Sequence, residues 1–215
     1  MTTVESDDRP AEPPAGTDAG GEAPAAPTAR RARPVFLIVG VVLAVGLAVG
    51  LFTGIGTGSG GGRPHAGGPV PSFSLPKLVG HGTVGVPADG GGNGQPAIVV
   101  FFASWCGPCQ AEMPMVASTY RQEQASHSRL AKVAVIGVDA ADQTSAARRF
   151  VHRSGVTFPV GTDRDYTLTE GTFYFTGLPD VVYVNANGTI AAIQQGPVNS
   201  VAELQSWQRR LLTGG

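Results

Sequence analysis

Residues 101–114 read FFASWCGPCQAEMP and contain the only two cysteines of this 215-residue chain, Cys106 and Cys109. The run PAIVVFFAS, residues 96–104, is short, apolar and β-branched, which predicts a central strand buried on both faces. After Cys109, apolar residues recur at helical spacing, namely Met113, Val116 and Tyr120. The cysteines are therefore expected at a turn between a buried strand and a helix.

The sequence after this turn predicts further strands and helices. The run KVAVIGVD, residues 132–139, is typical of a second buried strand, and residues 144–153 have the pattern of a helix. The runs PDVVYVN and TIAAIQQ flank the turn sequence NANG at residues 185–188, which predicts a β-hairpin. A last helix is predicted over residues 200–212. This order of elements predicts an α/β sandwich with a mixed sheet.

Three local patterns refine this outline. Ser200 and Glu203 have the spacing of a capping box, which predicts where the last helix begins. The run VPSFSLPKLVG, residues 70–80, alternates apolar and polar residues and predicts a strand or hairpin. The run PADGGGNGQ, residues 87–95, predicts a loop.

The N-terminal part of the chain differs in composition from the rest. Residues 1–34 are rich in Pro, Ala, Gly and Thr and are predicted to be disordered, because they cannot bury enough apolar area to offset their ordering entropy. Residues 35–55 are uncharged and apolar and would rise about 30 Å as a helix, which predicts a transmembrane helix. Residues 56–69 predict a flexible Gly-rich tether, and residues 70–215 predict the folded domain.

The charges beside the apolar run predict its orientation. Arg30, Arg31 and Arg33 precede the run, so the positive-inside rule places the N-terminus in the cytoplasm and the cysteines outside it. A cleaved secretory signal is the alternative to an anchor, but the apolar run is longer than a usual signal core and no clear Ala-x-Ala site follows it. We therefore expect a single-pass cell-membrane protein. Its formal net charge of −1 does not favour nucleic acid as a partner.

Two cysteines three positions apart could serve as a structural disulfide, a metal site or a redox pair. A disulfide that closes so short a loop removes little entropy from the unfolded chain, so it is a poor structural cross-link. A closed zinc site needs four ligands, and the four histidines of the chain lack ligand-like spacing. A cysteine at a strand-to-helix turn feels the positive end of the helix dipole and loses its proton readily, which favours redox exchange.

The motif WCGPC at residues 105–109 resembles the active site of the thioredoxin superfamily. FPV at residues 158–160 followed by TDRD, GLP at residues 177–179 and the hairpin VVYVNANGTIAAIQQG make the chain similar to the TlpA/ResA-like branch. This branch consists of membrane-anchored, extracytoplasmic thiol-disulfide oxidoreductases. The similarity spans about residues 71–212 and implies a thioredoxin-like three-layer sandwich with a central mixed sheet.

The resemblance implies roles for the two cysteines. Cys106 would be the exposed nucleophile that attacks a partner disulfide, and Cys109 would resolve the mixed disulfide. This exchange requires an accessible low-pKa sulfur with a second sulfur within reach, and the residues between the cysteines, Gly107 and Pro108, give that spacing.

Pro179 resembles the cis-proline that faces the CxxC motif in this family, with an ordinary trans proline as the alternative. A cis Leu178–Pro179 bond would leave the backbone of Leu178 free to pair with an extended partner segment. The residues expected to contact the substrate are Trp105, Gly107, Pro108, Leu178 and Pro179.

Glu112 follows Cys109 by three residues, so one helical turn returns it to the side of the cysteine pair. The matching glutamate of the TlpA/ResA-like branch is proposed to act as an acid–base group beneath the disulfide. A solvated glutamate that favours the helix N-terminus is the alternative. Cytoplasmic thioredoxins carry a buried Asp where this chain has Val100, which makes Glu112 the nearer proton carrier.

The expected function is reduction of disulfides in protein partners outside the cytoplasmic membrane, of the type used in cytochrome c or copper-site maturation. A membrane electron donor would supply the electrons. The CxxC dithiol is itself the redox centre, so no bound cofactor or metal is expected. A disulfide-forming oxidant and a copper-delivery or client-binding module without turnover are the alternatives.

Overall fold

The structure, a computed structural model, describes residues 62–86 and 94–214. The predicted disordered segment, the predicted membrane span, the first part of the tether and most of the predicted loop at residues 87–95 lie outside the described residues. Within the part of the chain that is described, no helix is long and apolar enough to cross a membrane.

A five-stranded mixed sheet forms the centre of the fold. Its strands are β3 (Ala97–Phe102), β4 (Ala134–Ala140), β5 (Val160–Asp163), β6 (Asp180–Val184) and β7 (Ile190–Gln195). The spatial order is β5-β4-β3-β6-β7. Strands β3, β4 and β5 are parallel, whereas β6 is antiparallel to both of its neighbours.

The remaining elements cover this sheet. They are the hairpin of β1 (Phe73–Pro76) and β2 (Thr83–Val86), the helices α1 (Gly107–Ala125), α2 (Thr144–Arg153) and α3 (Val201–Thr213), and a 3₁₀ turn at Arg129–Lys132. All three helices contribute to one buried cluster, which includes Phe102. The cluster on the opposite face contains Phe101 and is covered by the hairpin and by the segment 168–175. The second outer layer is therefore not helical in the described residues.

Strand β3 has no exposed residue, as predicted for residues 96–104. Its side chains alternate between the two buried clusters, with Val100 and Phe102 on the helical side and Val99 and Phe101 on the other. Burial on both faces explains why the strand has no polar position. The cysteine turn therefore begins at the end of a strand that is held on both faces.

Most predicted elements occur in the structure, and three details differ from the prediction. Helix α2 and the β6–β7 hairpin occur where they were predicted, but β4 begins two residues later than predicted, because Lys132 belongs to the 3₁₀ turn. Strand β5 was not predicted, since its four residues VGTD have no apolar period. The N–H of Gly67 donates to Ile190 and the carbonyl of Gly68 accepts from Ile190, each at 2.8 Å, so the folded domain begins within the predicted tether.

Gly161 allows the β1–β2 hairpin to pack closely on β5. A Cβ atom at this position would lie 2.7 Å from Cβ of Leu75 and 3.0 Å from Cγ1 of Val84. We expect Gly161→Ala to lower the free energy of unfolding by about 1–3 kcal/mol, because the hairpin has to shift. Urea unfolding measures the change. Gly62→Ala is the control, since its Cβ would have no neighbour within 4 Å, and equal stability of the two variants would contradict this packing.

Candidate active site

Cys106 and Cys109 form a disulfide at the start of α1. Cys106 is the N-cap residue, with extended backbone angles, and its Sγ accepts a hydrogen bond from the backbone N–H of Cys109 at 3.2 Å. Pro108 lies in the first turn, where its missing N–H would have no helical partner. The positive end of the helix therefore lies at the sulfur atoms and favours negative charge there.

The two sulfurs differ little in exposure when they are joined. Cys106 is 4% exposed and Cys109 is fully buried. Cys106 was expected to be exposed, but in this disulfide form it is buried. The exposed surface around the pair comes from its neighbours, because Trp105 is 58% exposed and Gly107 and Pro108 are also exposed.

The predicted cis-proline lies at the same end of the sheet as the disulfide. The Leu178–Pro179 peptide bond is cis. The antiparallel register places Asp180 opposite Phe101, so Pro179 lies beside the end of β3 from which the cysteine turn departs. Leu178 is half-buried and packs against both buried clusters. The fold thus brings together two predicted site segments that are about seventy residues apart in sequence.

Aromatic packing connects the segment before Pro179 to β3. The rings of Phe173 and Phe175 lie 5.1 and 5.0 Å from the ring of Phe101, both in edge-on geometry. Tyr174, between them, is 45% exposed and has a φ of 58°, which is uncommon for a residue with a side chain. The exposure of Tyr174 could not be predicted from the sequence, because it depends on the burial of both neighbours.

Glu112 is buried, with 2% of its surface exposed, so the alternative of a solvated glutamate is wrong. Its Oε1 accepts a hydrogen bond from the backbone N–H of Val198 at 2.7 Å, and its Oε2 has no partner among the described residues. Burial raises the pKa of Glu112 from 4.5 to about 7, the hydrogen bond from Val198 opposes this rise, and the charge of Glu203 adds to it. Near neutral pH, both protonation states of Glu112 are therefore populated.

Glu203 supports the loop that contacts Glu112. Its carboxylate accepts hydrogen bonds from the backbone N–H of Asn199 at 2.8 Å and from Nε2 of Gln194 at 3.0 Å. Ser200 caps α3 by accepting from the N–H of Glu203 at 3.2 Å, as predicted. In a complete capping box, the Glu203 carboxylate would accept from the backbone N–H of Ser200, but here it accepts from that of Asn199. Glu203 therefore fixes the residue next to Val198.

A second carboxylate contacts the turn before Cys106. Asp142, in the loop between β4 and α2, accepts hydrogen bonds from the backbone N–H and the hydroxyl of Ser104. This pair could not be predicted from the sequence, because 38 positions separate the two residues and only the parallel pairing of β3 with β4 brings them together. Within residues 62–86 and 94–214, no three His, Cys, Asp or Glu side chains are grouped as a metal site.

Comparison with known families identifies the chain. Residues 65–206, which are well over half of its length, match the family model described as Redoxin. The chain belongs to the Redoxin family. The matched region of this redoxin includes the whole sheet and both cysteines.

Several named proteins resemble this redoxin. Sporulation thiol-disulfide oxidoreductase A of Bacillus subtilis is 25% identical over 138 residues, which are 64% of this chain and 79% of that protein. Thiol-disulfide oxidoreductase ResA of Bacillus subtilis is 26% identical over 104 residues, which are 48% of this chain and 55% of ResA. The match thus spans about half the length of ResA.

Solved structures support the fold. The structure of MTB dsbF, in its mixed oxidized and reduced forms, is 28% identical with a TM-score of 0.53, and the match covers 65% of this chain and 94% of that one. StoA from Bacillus subtilis is 22% identical with a TM-score of 0.52, and the match covers 64% and 96% of the two chains. These comparisons confirm a TlpA/ResA-like member of the thioredoxin superfamily, an oxidoreductase with a central mixed sheet.

The raised pKa of Glu112 predicts how stability depends on pH. Between about pH 4.5 and pH 7, the folded chain keeps a proton that the unfolded chain releases, so the free energy of unfolding falls as the pH rises through this window. Glu112→Gln removes this loss and can still accept from Val198. We expect the variant to be more stable than the wild type by on the order of 1–3 kcal/mol at pH 8, with little difference at pH 4.5.

Urea unfolding of the oxidised protein at the two pH values measures this effect. The matched control is Glu170→Gln, because Glu170 is exposed and its neutralisation should change stability equally little at both pH values. An advantage of Glu112→Gln that is the same at pH 4.5 and pH 8 would contradict the buried, protonated state of Glu112.

Proposed function

We propose that this redoxin reduces disulfides in protein partners outside the cytoplasmic membrane through Cys106 and Cys109. The disulfide at the N-cap of α1 is the main support, because the helix terminus favours the thiolate that exchange requires. Leu178 precedes β6 at the same end of the sheet as the disulfide, and its backbone is the proposed place where a partner segment pairs.

The reaction starts from the reduced protein. The thiolate of Cys106 attacks one sulfur of the partner disulfide, which forms a mixed disulfide and releases the first partner thiolate. The thiolate of Cys109 then attacks the sulfur of Cys106, which forms the Cys106–Cys109 bond and releases the second partner thiolate. Two electrons pass from this protein to the partner. The disulfide seen in the structure corresponds to the product of this sequence.

Glu112 is the group in this proposal that takes the proton from Cys109. It lies one helical turn after Cys109, it is buried, and its Oε2 has no partner among the described residues. A general base works best when its pKa is near the working pH, and burial raises the pKa of Glu112 to about 7. Trp105, Gly107, Pro108, Leu178 and Pro179 form the proposed contact surface for the partner.

The proposed location is the outer face of the cytoplasmic membrane. The apolar run at residues 35–55 and the arginines before it support a single anchor with an external redox domain. A reductant in that compartment needs a membrane electron donor. The Gly-Pro pair between the cysteines, which resembles that of reducing thioredoxins, supports reduction rather than oxidative disulfide formation. Partners whose cysteines are destined for haem or copper sites are proposed from the resemblance of the sequence motifs to the TlpA/ResA-like branch.

A trapping experiment tests the proposed exchange. Cys109→Ser removes the resolving sulfur, so we expect covalent conjugates between Cys106 and partner proteins that disappear on reduction. Cys106→Ser is the matched control, because it keeps one cysteine but loses the attacking sulfur. The conjugates should be recovered with the membrane fraction if the anchor is correct. Conjugates of equal amount in both variants would contradict the assignment of Cys106 as nucleophile.

The direction of electron flow is tested by the reduction potential of the full-length chain. Equilibration in graded thiol buffers, followed by trapping of free cysteines, should give a value near the approximately −270 mV of thioredoxin. A value near the approximately −120 mV of strong oxidants would instead assign disulfide formation. Tight Cu(I) binding without any thiol exchange would favour the copper-delivery alternative.

A further inference from the structure

The turn that leads to Cys106 is held by side chains from outside it. Asp142 accepts hydrogen bonds from the backbone N–H of Ser104 and, at 2.7 Å, from its hydroxyl. The carbonyl of Ser104 accepts from Nε2 of Gln110 at 3.0 Å. Ser104 is therefore fixed at its N–H, hydroxyl and carbonyl, two positions before the sulfur proposed to attack.

The loop that presents Asp142 is itself constrained. Asp142 is 9% exposed, and the preceding Ala141 has a φ of 47°, in the left-handed region that residues with a Cβ rarely adopt. The N–H of Ala141 donates to the carbonyl of Asp163 on the neighbouring strand at 2.9 Å. Tertiary contacts thus hold the carboxylate of Asp142 against Ser104.

Asp139 places a second carboxyl group beside this contact. It pairs with Phe102 in the parallel register of β3 and β4, and it is fully buried. Neither of its side-chain oxygens has a hydrogen-bond partner among the described residues. An ionised carboxylate in such a place is costly, so the uncharged acid is favoured.

The charged groups around Asp139 come from two neighbouring segments. They are Asp142, Asp163 and Arg164. Burial raises the pKa of Asp139 to about 8, the charge of Asp142 and a side-chain contact with Asp142 add to the rise, Arg164 opposes it, and Asp163 adds to it. The contact with Asp142 is longer than an ordinary hydrogen bond, since neither oxygen of Asp139 has a partner by hydrogen-bond geometry in the described part of the chain. Arg164 is exposed and donates to the hydroxyl of Thr144 at 2.6 Å. Solvent therefore screens its charge, which limits how far it lowers the pKa of Asp139.

We propose that Asp142 is a positioning residue for the chemistry of Cys106, and that the protonated side chain of Asp139 preserves its contact with Ser104. Ionisation of Asp139 would place a second negative charge near the carboxylate of Asp142, and the repulsion between the two would displace Asp142 from Ser104. This inference rests on the proposed function of the cysteine pair. It adds a second influence on the cysteine pair, which acts through Ser104 before Cys106 and is separate from the role of Glu112.

The first test measures how well the two sulfurs are held together. In the exchange of the reduced protein with oxidised glutathione, which gives the protein disulfide and two reduced glutathione molecules, the equilibrium constant reports the effective concentration of the thiols. We expect Asp142→Ala in the full-length chain to lower this constant by about tenfold or more, because small displacements of reacting atoms have large effects. Asp142→Asn should retain most of it, since the carboxamide oxygen can still accept from the N–H of Ser104 and the NH2 group can donate to the hydroxyl oxygen of Ser104.

Asp165→Ala is the matched control for the loss of one carboxylate, because Asp165 is exposed. A constant for Asp142→Ala equal to that of the wild type would overturn the proposal, as would an equal loss in Asp142→Asn. Failure of the wild type itself to equilibrate with glutathione would instead overturn the proposed function of the cysteines. The two failures are therefore distinguishable.

The second test uses the oxidised protein, in which the cysteines do not titrate. Trp105 follows Ser104, so its fluorescence reports on the turn once Trp207 is replaced by phenylalanine, which can keep the stack on Tyr183. We expect a fluorescence change centred near pH 8, the pKa of Asp139, that is absent after Asp139→Asn. The same change should survive Glu112→Gln, which excludes Glu112 as its source. Persistence of the change in Asp139→Asn, or no change in the parent protein, would overturn the role of Asp139.

Discussion

The buried end of strand β3 is the constraint on which the rest of the site depends. The strand is buried on both faces and paired on both edges, with β4 and β6, so its last residues cannot shift without disturbing both cores. Three site segments start from this point: the cysteine turn continues from Phe102, β4 ends opposite it, and Pro179 precedes the residue that pairs with Phe101. The site therefore has the rigidity of the sheet although its residues lie on loops.

The same burial sets the electrostatics of the site. Burial raises the pKa of Asp180 to about 6, of Glu112 to about 7 and of Asp139 to about 8. Each of these groups reduces the stability of the folded chain as the pH rises above the ordinary range of carboxyl groups. Ionisable groups with strongly shifted pKa values are concentrated at functional sites, where reactivity near neutral pH comes with a lower free energy of unfolding. Val100 replaces the buried Asp of cytoplasmic thioredoxins, and this chain instead carries its buried acids on α1 and at the strand ends.

The sequence was sufficient to predict what depends on local pattern and insufficient for what depends on pairing between distant segments. The apolar run of β3, the WCGPC motif and the NANG turn are local, and the structure has the expected elements at all three. Glu112 could be placed on the correct side of α1 by helical period, but its burial required knowledge that Val198 covers it. The Asp142 contact could not be predicted, because the register of two parallel strands decides it.

Glu112 and Asp142 differ in how the oxygens of their carboxylates are hydrogen-bonded. Glu112 uses one oxygen to accept from Val198 and keeps the other without a partner among the described residues, so it can take a proton without losing a contact. Asp142 uses both oxygens to accept from Ser104, so protonation would remove part of the support of the turn. The bonding of Glu112 is therefore suited to proton transfer, and that of Asp142 is suited to positioning. The proposed proton transfer thus lies on α1 after Cys109, and the proposed positioning acts on Ser104, before Cys106, from the loop after β4.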